Sequence, residues 1–376
     1  MTLRVDQVGS LLRPEGLKEV FARHGEGQAN DAELLEAQNA AVRDVVAKQE
    51  AHNLAVLTDG EFRRLGFKDS LGDSVAGFGE NREGSQSFQQ QEGQKPLQRW
   101  DYGPPGQKQV LRGFGRPLTQ RMTLGKNLPL EEFQFAKGLS AKPFKVTLIG
   151  PGRVLENFRG VDPNHLYADI DDLAADVVAV ERQIVGGLVE AGCTYVQIDA
   201  PNYTAFADQP SLDTMKERGE DPQQNLERTI RADNAIVAEF PGVTFGVHLC
   251  RGNERSMWHR EGTYDAIAER LFGELHHGRL LLEYDSERAG TFAALRFVPK
   301  GKVVVLGLVT SKLPELESAD DIKRRIDDAS KHLPLDQLAL SPQCGFASGI
   351  AGNLLSEDDQ WRKFDLINEV AADIWR

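Results

Sequence analysis

The sequence predicts a (β/α)8 TIM barrel with an insertion after the second strand, and two patterns support this fold class. Eight short apolar runs, several of them nearly continuous, such as VVVLGLV at 303–309, alternate with longer amphipathic stretches. Strands buried on both faces of a parallel sheet have this composition, and a helix after each strand returns the chain for the next one. Conspicuous polar residues fall at the ends of these runs, where a barrel gathers its active-site residues. A doubly wound sheet is the alternative that the pattern leaves open.

The predicted elements span the chain, and we interpret residues 1–376 as one catalytic barrel domain. Residues 76–142 break the rhythm, because much of this stretch is rich in Gln, Gly and Ser. We predict an inserted segment there, partly helical beyond Arg116, that serves as a lid, a dimer arm or plain surface. The strands are expected at 4–9, 54–58, 144–149, 194–199, 243–249, 279–284, 303–309 and 337–341. Helices are expected at 31–50, 169–190, 223–239, 257–275, 318–332 and 357–375.

The composition argues against several classes of partner. The formal net charge of −13 does not suit nucleic acid, which requires a basic face. No apolar stretch approaches the ~20 residues of a membrane span, and the first residues lack the profile of a signal peptide. Three cysteines in so long a chain do not form a disulfide framework. We therefore expect a cytoplasmic protein with no nucleic-acid or membrane partner, and leave a homo-oligomer open.

A candidate metal site combines residues from three strand ends. His248 and Cys250 lie two positions apart at the end of an apolar run, so their side chains share one side of a strand. Glu283 ends the sixth run and Cys344 follows the eighth, so a barrel would bring the four residues together. One imidazole, two thiolates and a carboxylate suit tetrahedral Zn²⁺, which can hold a substrate thiol and lower its pKa. The alternative is that these are ordinary core residues, as we expect for Cys193.

At these residues the sequence resembles the catalytic barrel of cobalamin-independent methionine synthase. The resemblance implies Zn²⁺ as cofactor, held by His248, Cys250, Glu283 and Cys344. The matching segments run in order along the chain: VGS at 8–10, DGEF at 59–62, GP at 150–151, QIDAP at 197–201, HLC at 248–250, Glu283, SK at 311–312 and SPQCG at 341–345.

The resemblance also implies contacts with homocysteine at Gly9, Ser10, Glu61 and Asp199. The chemistry agrees, because an ammonium group requires carboxylates, and a carboxylate requires hydroxyl or backbone N–H donors. Taken without the family, Glu61 and Asp199 suit a loop salt bridge or a helix N-cap equally well.

The sequence departs from the family at three positions that concern the methyl donor. Lys312 stands where the family has a proton-donating histidine, Asn157 where it has a tryptophan under the folate, and Ala205 where it has a folate-contacting carboxylate. The methyl group of a tertiary amine is a poor electrophile unless the nitrogen is protonated. Lys312 is the candidate catalytic residue, as a proton donor or as a partner for an anionic group. A solvated lysine is the alternative.

The resemblance implies a zinc-dependent methyltransferase that makes methionine from homocysteine, with methyltetrahydrofolate or another donor such as a corrinoid. Alkyl transfer to a different thiol, of the epoxide–coenzyme M type, is one alternative. Glu61 and Asp199 favour an amino-acid thiol, because a sulfonate thiol would require cations. The sequence also leaves open a zinc-stabilised binding protein without turnover and a metal-independent, decarboxylase-like barrel.

Overall fold

The computed structural model describes residues 3–79, 96–99, 118–158 and 165–375, without the side chain of Asn157. Its strands are β1 (Val75–Phe78), β2 (Leu118–Leu124), β3 (Lys145–Ile149), β4 (Tyr195–Asp199), β5 (Thr244–Leu249), β6 (Arg279–Glu283), β7 (Val303–Val309) and β8 (Leu338–Pro342). Strands β3 to β8 form one sheet in sequence order, and every pair in it is parallel. Nearly all their residues are buried, which explains why the sequence shows continuous apolar runs.

Two short segments complete the barrel where the sequence predicts its first two strands. Each makes a single parallel bridge, Val5 with Leu340 of β8 and Leu57 with Phe144 beside β3. The two segments meet through a side chain, since Gln7 Nε2 donates to the Val56 carbonyl at 2.8 Å. The predicted barrel is confirmed, although its first two strands are reduced to these bridges.

The helices pack around the sheet with their apolar faces inward. Five of the six predicted helices are confirmed to within a few residues, and local signals set their ends. Asn30 and Ser356, for example, each form a capping box at a helix start. No helix in the described ranges is both long enough and apolar enough to cross a membrane. The helices are α1 (Glu15–Gly25), α2 (Asp31–Ala51), α3 (Asp69–Gly72), α4 (Leu128–Lys137), α5 (Pro151–Phe158), α6 (Ile170–Glu190), α7 (Gln209–Glu217), α8 (Pro222–Glu239), α9 (Ala268–Glu274), α10 (Ala319–Ser330) and α11 (Glu357–Ile374).

The helix predicted at 257–275 is wrong over its first half. Only α9 and a short 3₁₀ turn before it are helical. Upstream, Glu254 and Met257 pair across a tight turn. Gly262 has a φ of 136° and lies so close to Ala207 that a Cβ there would be 1.9 Å from the Ala207 carbonyl oxygen. This close approach fixes an extended loop over the barrel mouth, where the apolar spacing alone suggests a helix.

The predicted insertion at 76–142 has regular secondary structure near its start and in its last third. Strands β1 and β2 pair as an antiparallel hairpin, and α4 follows, as expected beyond Arg116. Residues 80–95 and 100–117 lie outside the described residues. The short piece at 96–99 lies on the loop after β5, where Trp258 N donates to the Gln98 carbonyl at 3.0 Å. The role of the insertion at 76–142 as a lid, a dimer arm or plain surface stays a prediction.

Candidate metal centre and substrate site

The structure brings His248, Cys250, Glu283 and Cys344 together at the carboxyl end of the barrel. His248 lies in β5, and Cys250 is the first residue after that strand. Glu283 ends β6, and Cys344 lies in the loop after β8. Their potential ligand atoms all lie within 4.8 Å of one another. Parallel strands end at the same face of a barrel, so residues distant in sequence become neighbours there.

In Glu283 and His248, one polar atom of the side chain has a protein partner and the other has none. Glu283 Oε1 accepts from the Arg251 backbone N–H at 3.0 Å, and His248 Nδ1 lies 3.3 Å from the Leu281 carbonyl. Glu283 Oε2 and His248 Nε2 are buried and have no hydrogen-bond partner. A buried polar atom without a partner costs about 1–3 kcal/mol, so contact with a metal ion would satisfy these two atoms. One nitrogen, one oxygen and two sulfurs are a donor set that fits Zn²⁺.

The two thiols lie close enough to influence each other. Cys250 Sγ is 3.6 Å from Cys344 Sγ and accepts from the Gly252 backbone N–H at 3.2 Å. Hydrogen bonding with the Cys344 thiol, together with burial, raises the pKa of Cys250 well above its ordinary value. A divalent cation held by the four side chains would reverse this balance, because it would favour both thiolates. Cys193 lies elsewhere in the core, as expected, and is 3% exposed.

A pair of buried carboxylates lies beside the candidate metal centre. Glu61 Oε1 accepts from the Thr147 hydroxyl at 2.8 Å, while Oε2 is buried without a partner. Asp199 is the register neighbour of His248 on the adjacent strand. Burial raises the pKa of Glu61 to about 7; Arg64 opposes this rise and the charge of Asp199 adds to it. Two carboxylates with an unpaired oxygen form a site that suits a cation such as an ammonium group.

The loop of Gly9 and Ser10, which follows the first short strand segment, lies between Glu61 and the loop that carries Cys344. Gly9 has a φ of 144°, and a Cβ there would lie 2.5 Å from Thr147 Cγ2 and 3.3 Å from Glu61 Oε1. Ser10 is buried, and its carbonyl accepts from the Phe346 N–H at 2.9 Å. A Cβ on Gly345, the residue after Cys344, would lie 2.0 Å from Ser10 Oγ. Gly9 and Ser10 therefore adjoin both halves of the site.

The three positions that depart from the family lie in different surroundings. Lys312 is fully buried, and its ammonium group donates to the Gly252 carbonyl at 3.0 Å and to Asn253 Oδ1 at 2.7 Å. Both acceptors belong to the loop after Cys250. Because the side chain is buried, the interpretation of Lys312 as a solvated lysine is wrong. Ala205 is buried in a 3₁₀ turn after β4. Asn157 lies in α5, and its side chain is outside the described residues.

Several polar residues that support the site are not among the candidates that the sequence indicates, although Gln197 belongs to the matching segment at 197–201. Gln197 Nε2 donates to Asp199 Oδ1 at 2.7 Å, and Thr147 connects Arg64 to Glu61. Gln197 precedes Asp199 by two positions on β4, so strand alternation could have placed it on the same side. Asn253 carries no such signal, because its role depends on loops that meet only in the folded chain.

The fold and the site define an α/β-barrel protein whose mouth combines a candidate thiolate metal centre with a carboxylate pair. A family model described as the catalytic domain of cobalamin-independent synthase matches residues 5–351. This chain therefore belongs to the cobalamin-independent methionine synthase family of methyltransferases.

Individual relatives and solved structures are similar to this chain over most of its length. YxjG of Bacillus subtilis, an uncharacterized protein, is 35% identical over 378 residues, covering 99% of this chain and 95% of its own. The methionine synthase of Saccharolobus solfataricus is 24% identical over 345 residues, covering 90% and 86%. A crystal structure from Listeria monocytogenes, assigned as a vitamin-B12 independent methionine synthase, has a TM-score of 0.73 at 25% identity and covers 99% and 97%. The B12-independent methionine synthase of Shewanella sp. W3-18-1, in complex with selenomethionine, shares the fold with a TM-score of 0.72 at 17% identity, covering 100% and 98%.

Proposed function

We propose that this protein is a zinc-dependent methyltransferase that converts homocysteine to methionine. The observation that carries the proposal is the position of the Glu61–Asp199 carboxylate pair beside the four candidate metal ligands. A thiol that reaches the metal from this pocket would present its amino group to carboxylates. Homocysteine has this arrangement, whereas a sulfonate thiol would place an anion there at a cost.

Each residue has a separate role in this proposal. Zinc held by His248, Cys250, Glu283 and Cys344 would lower the pKa of the substrate thiol and so supply a nucleophile at neutral pH. Glu61 and Asp199 accept the substrate ammonium group, with Glu61 Oε2 as the acceptor that has no protein partner. Gly9 and Ser10 supply backbone and hydroxyl donors for the substrate carboxylate. Together these contacts orient the thiol toward the carbon that it attacks.

The surroundings of Lys312 and Ala205 bear on the methyl donor. Lys312 already donates to two loop oxygens, and Ala205 has no ionisable group, so we infer that neither is the proton donor for a leaving nitrogen. A folate nitrogen leaves well only when it is protonated, but the cobalt of a methylated corrinoid leaves without a proton. We therefore favour a methylated corrinoid, free or carried by a protein, over methyltetrahydrofolate. We place the reaction in the cytoplasm, in keeping with the three unpaired cysteines.

A paired screen of thiols and donors tests the proposal. Zinc-loaded protein is incubated with L-homocysteine and either methylcobalamin or methyltetrahydrofolate, and methionine is measured by mass spectrometry. We expect methionine from homocysteine and the corrinoid, and none with the Cys344→Ser variant. Coenzyme M and a desamino analogue of homocysteine serve as competing thiols. Preferential alkylation of coenzyme M would contradict the assignment of an amino-acid thiol.

A further inference from the structure

Lys312 has an unusual environment for a lysine at the end of a strand. Its side chain is completely buried, and both of its hydrogen-bond acceptors are neutral oxygens, the Gly252 carbonyl and Asn253 Oδ1. No carboxylate in the described residues forms an ion pair with it, although its charge opposes the rise that burial causes in the pKa of the Asp285 carboxyl. Burial of an ammonium group without a paired anion is costly, so this position demands an explanation beyond packing.

The contact with Lys312 determines the orientation of the Asn253 amide. Asn253 Oδ1 accepts from Lys312 and also from Asn353 Nδ2, at 2.9 Å. The amide nitrogen of Asn253 therefore faces the other way, and it donates to the Gly345 carbonyl at 2.7 Å. An ammonium group can only donate, so Lys312 excludes the flipped amide.

These bonds connect the two loops that carry the thiols. Asn253 is three residues after Cys250, and Gly345 directly follows Cys344. The loop after β7, which carries Lys312, is joined to them as well, because Asn353 Nδ2 also donates to the Ser311 carbonyl at 2.7 Å. Asn253 and Asn353 are 7% and 6% exposed, so water competes little for these bonds.

We propose that Lys312 is a positioning residue for the metal centre. Lys312, Asn253 and Asn353 form a clamp that fixes the loops of Cys250 and Cys344 at the spacing of metal ligands. This inference rests on the proposed metal site, but it does not depend on the identity of the methyl donor.

The test measures metal binding by the full chain and requires no turnover. Co²⁺ and Zn²⁺ affinities are measured by chelator competition, and the visible spectrum of the Co²⁺ protein is recorded. Lys312→Met keeps the length of the side chain but removes the charge and both hydrogen bonds. We expect it to weaken both affinities by about 10–100-fold and to shift the cobalt bands. Lys300→Met, at an exposed lysine on the loop before β7, is the matched control and should change neither.

A second variant keeps the test decisive if Lys312→Met fails to fold. Asn253→Asp retains the oxygen that faces Lys312 but replaces the donor that faces the Gly345 carbonyl with a second oxygen. We expect it to weaken metal binding while the charge of Lys312 remains. Unchanged affinities and cobalt bands in the folded variants would overturn the clamp. Failure of the wild-type protein to bind either metal would instead overturn the proposed function, before any variant is compared.

Discussion

The Sγ atoms of Cys250 and Cys344 lie 3.6 Å apart, although 94 residues separate the two positions in the chain. Their contact joins the loops after β5 and β8, which lie on opposite sides of two intervening strands in the sheet order. The candidate metal centre therefore forms only when the barrel has closed. Metal binding by this protein should consequently require the folded barrel.

Replacement of one thiol should empty the metal centre and leave the fold intact. Cys344→Ser substitutes a hydroxyl, a far weaker ligand than a thiolate for zinc, so we expect most bound zinc to be lost. Elemental analysis measures the metal, and circular dichroism checks the fold. Cys193→Ser is the control: burial raises the pKa of Cys193 to about 11, and its thiol donates to the Tyr195 carbonyl away from the site. Full zinc occupancy in Cys344→Ser would show that this residue is not a ligand.

Removal of the charge of Glu61 should affect recognition of the amino group. Glu61→Gln keeps the shape of the side chain but replaces a charged acceptor, and a hydrogen bond to a charged group contributes about 1.5–3 kcal/mol. We expect the KM for homocysteine to rise about 10–100-fold, with zinc content unchanged. The desamino analogue of homocysteine provides the control, because its KM should not respond. An equal rise for both thiols would mean that Glu61 does not contact the amino group.

The raised pKa of Glu61 predicts a pH dependence of amino-acid binding. Burial raises this pKa to about 7, so the carboxylate that attracts an ammonium group is the major form only above that pH. The affinity for L-methionine, whose thioether does not titrate, should therefore fall as the pH drops through about 7. Calorimetry on the wild type and on Glu61→Gln measures this, and the variant should lose the dependence. A dependence that persists unchanged in the variant would assign it to another group.

The raised pKa of Glu61 also predicts how the free energy of unfolding changes with pH. The unfolded chain releases the Glu61 proton near the ordinary pKa of 4.5, whereas the folded protein retains it up to about 7. Between these values the folded state binds more protons, so this group lowers the free energy of unfolding as the pH rises. Urea unfolding of the protein without substrate across this range should show a smaller decrease in Glu61→Gln than in the wild type.

Gln197 should support substrate binding through Asp199. Lys145 Nζ donates to Gln197 Oε1 at 2.7 Å, which directs the amide nitrogen of Gln197 to Asp199. Gln197→Glu would place an oxygen against the Asp199 carboxylate, and we expect the KM for homocysteine to rise about tenfold at constant zinc content. Gln183→Glu, at an exposed position on α6, is the control. A normal KM in Gln197→Glu would mean that Asp199 needs no support from this amide.

Much of the fold was predictable because burial leaves a direct mark on the sequence. The runs that became β3 to β8 are largely apolar because nearly all of their residues are buried, a pattern that is typical of a parallel sheet. The segments around Val5 and Leu57 look similar in sequence, yet each makes only one bridge, because irregular loops of the mouth begin within a few residues. The helix expected over 257–263 is absent since the close contact of Gly262 with Ala207 holds these residues in an extended loop.

The candidate site was predictable to the extent that strand ends determine it. His248, Cys250, Glu283 and Cys344 each lie at or just beyond a strand end, so their meeting follows from the barrel. The direction of the Lys312 side chain does not follow from its position at a strand end. It depends on Asn253 and Asn353, which reach it from two other loops. The sequence and its family resemblance therefore left Lys312 as a proton donor, a partner for an anionic group or a solvated lysine, and the clamp that we propose rests on contacts that only the packed loops provide.

The most direct test of the account is the spectrum of the Co²⁺-substituted protein during titration with L-homocysteine. Cobalt in a site with two cysteine thiolates has a sulfur-to-metal charge-transfer band, and a third thiolate from the substrate should increase its intensity. We predict a saturable increase with L-homocysteine and none with L-homoserine, which has a hydroxyl in place of the thiol. A spectrum unchanged by L-homocysteine or by any other thiol would contradict the claim that this barrel activates a substrate thiol at its metal.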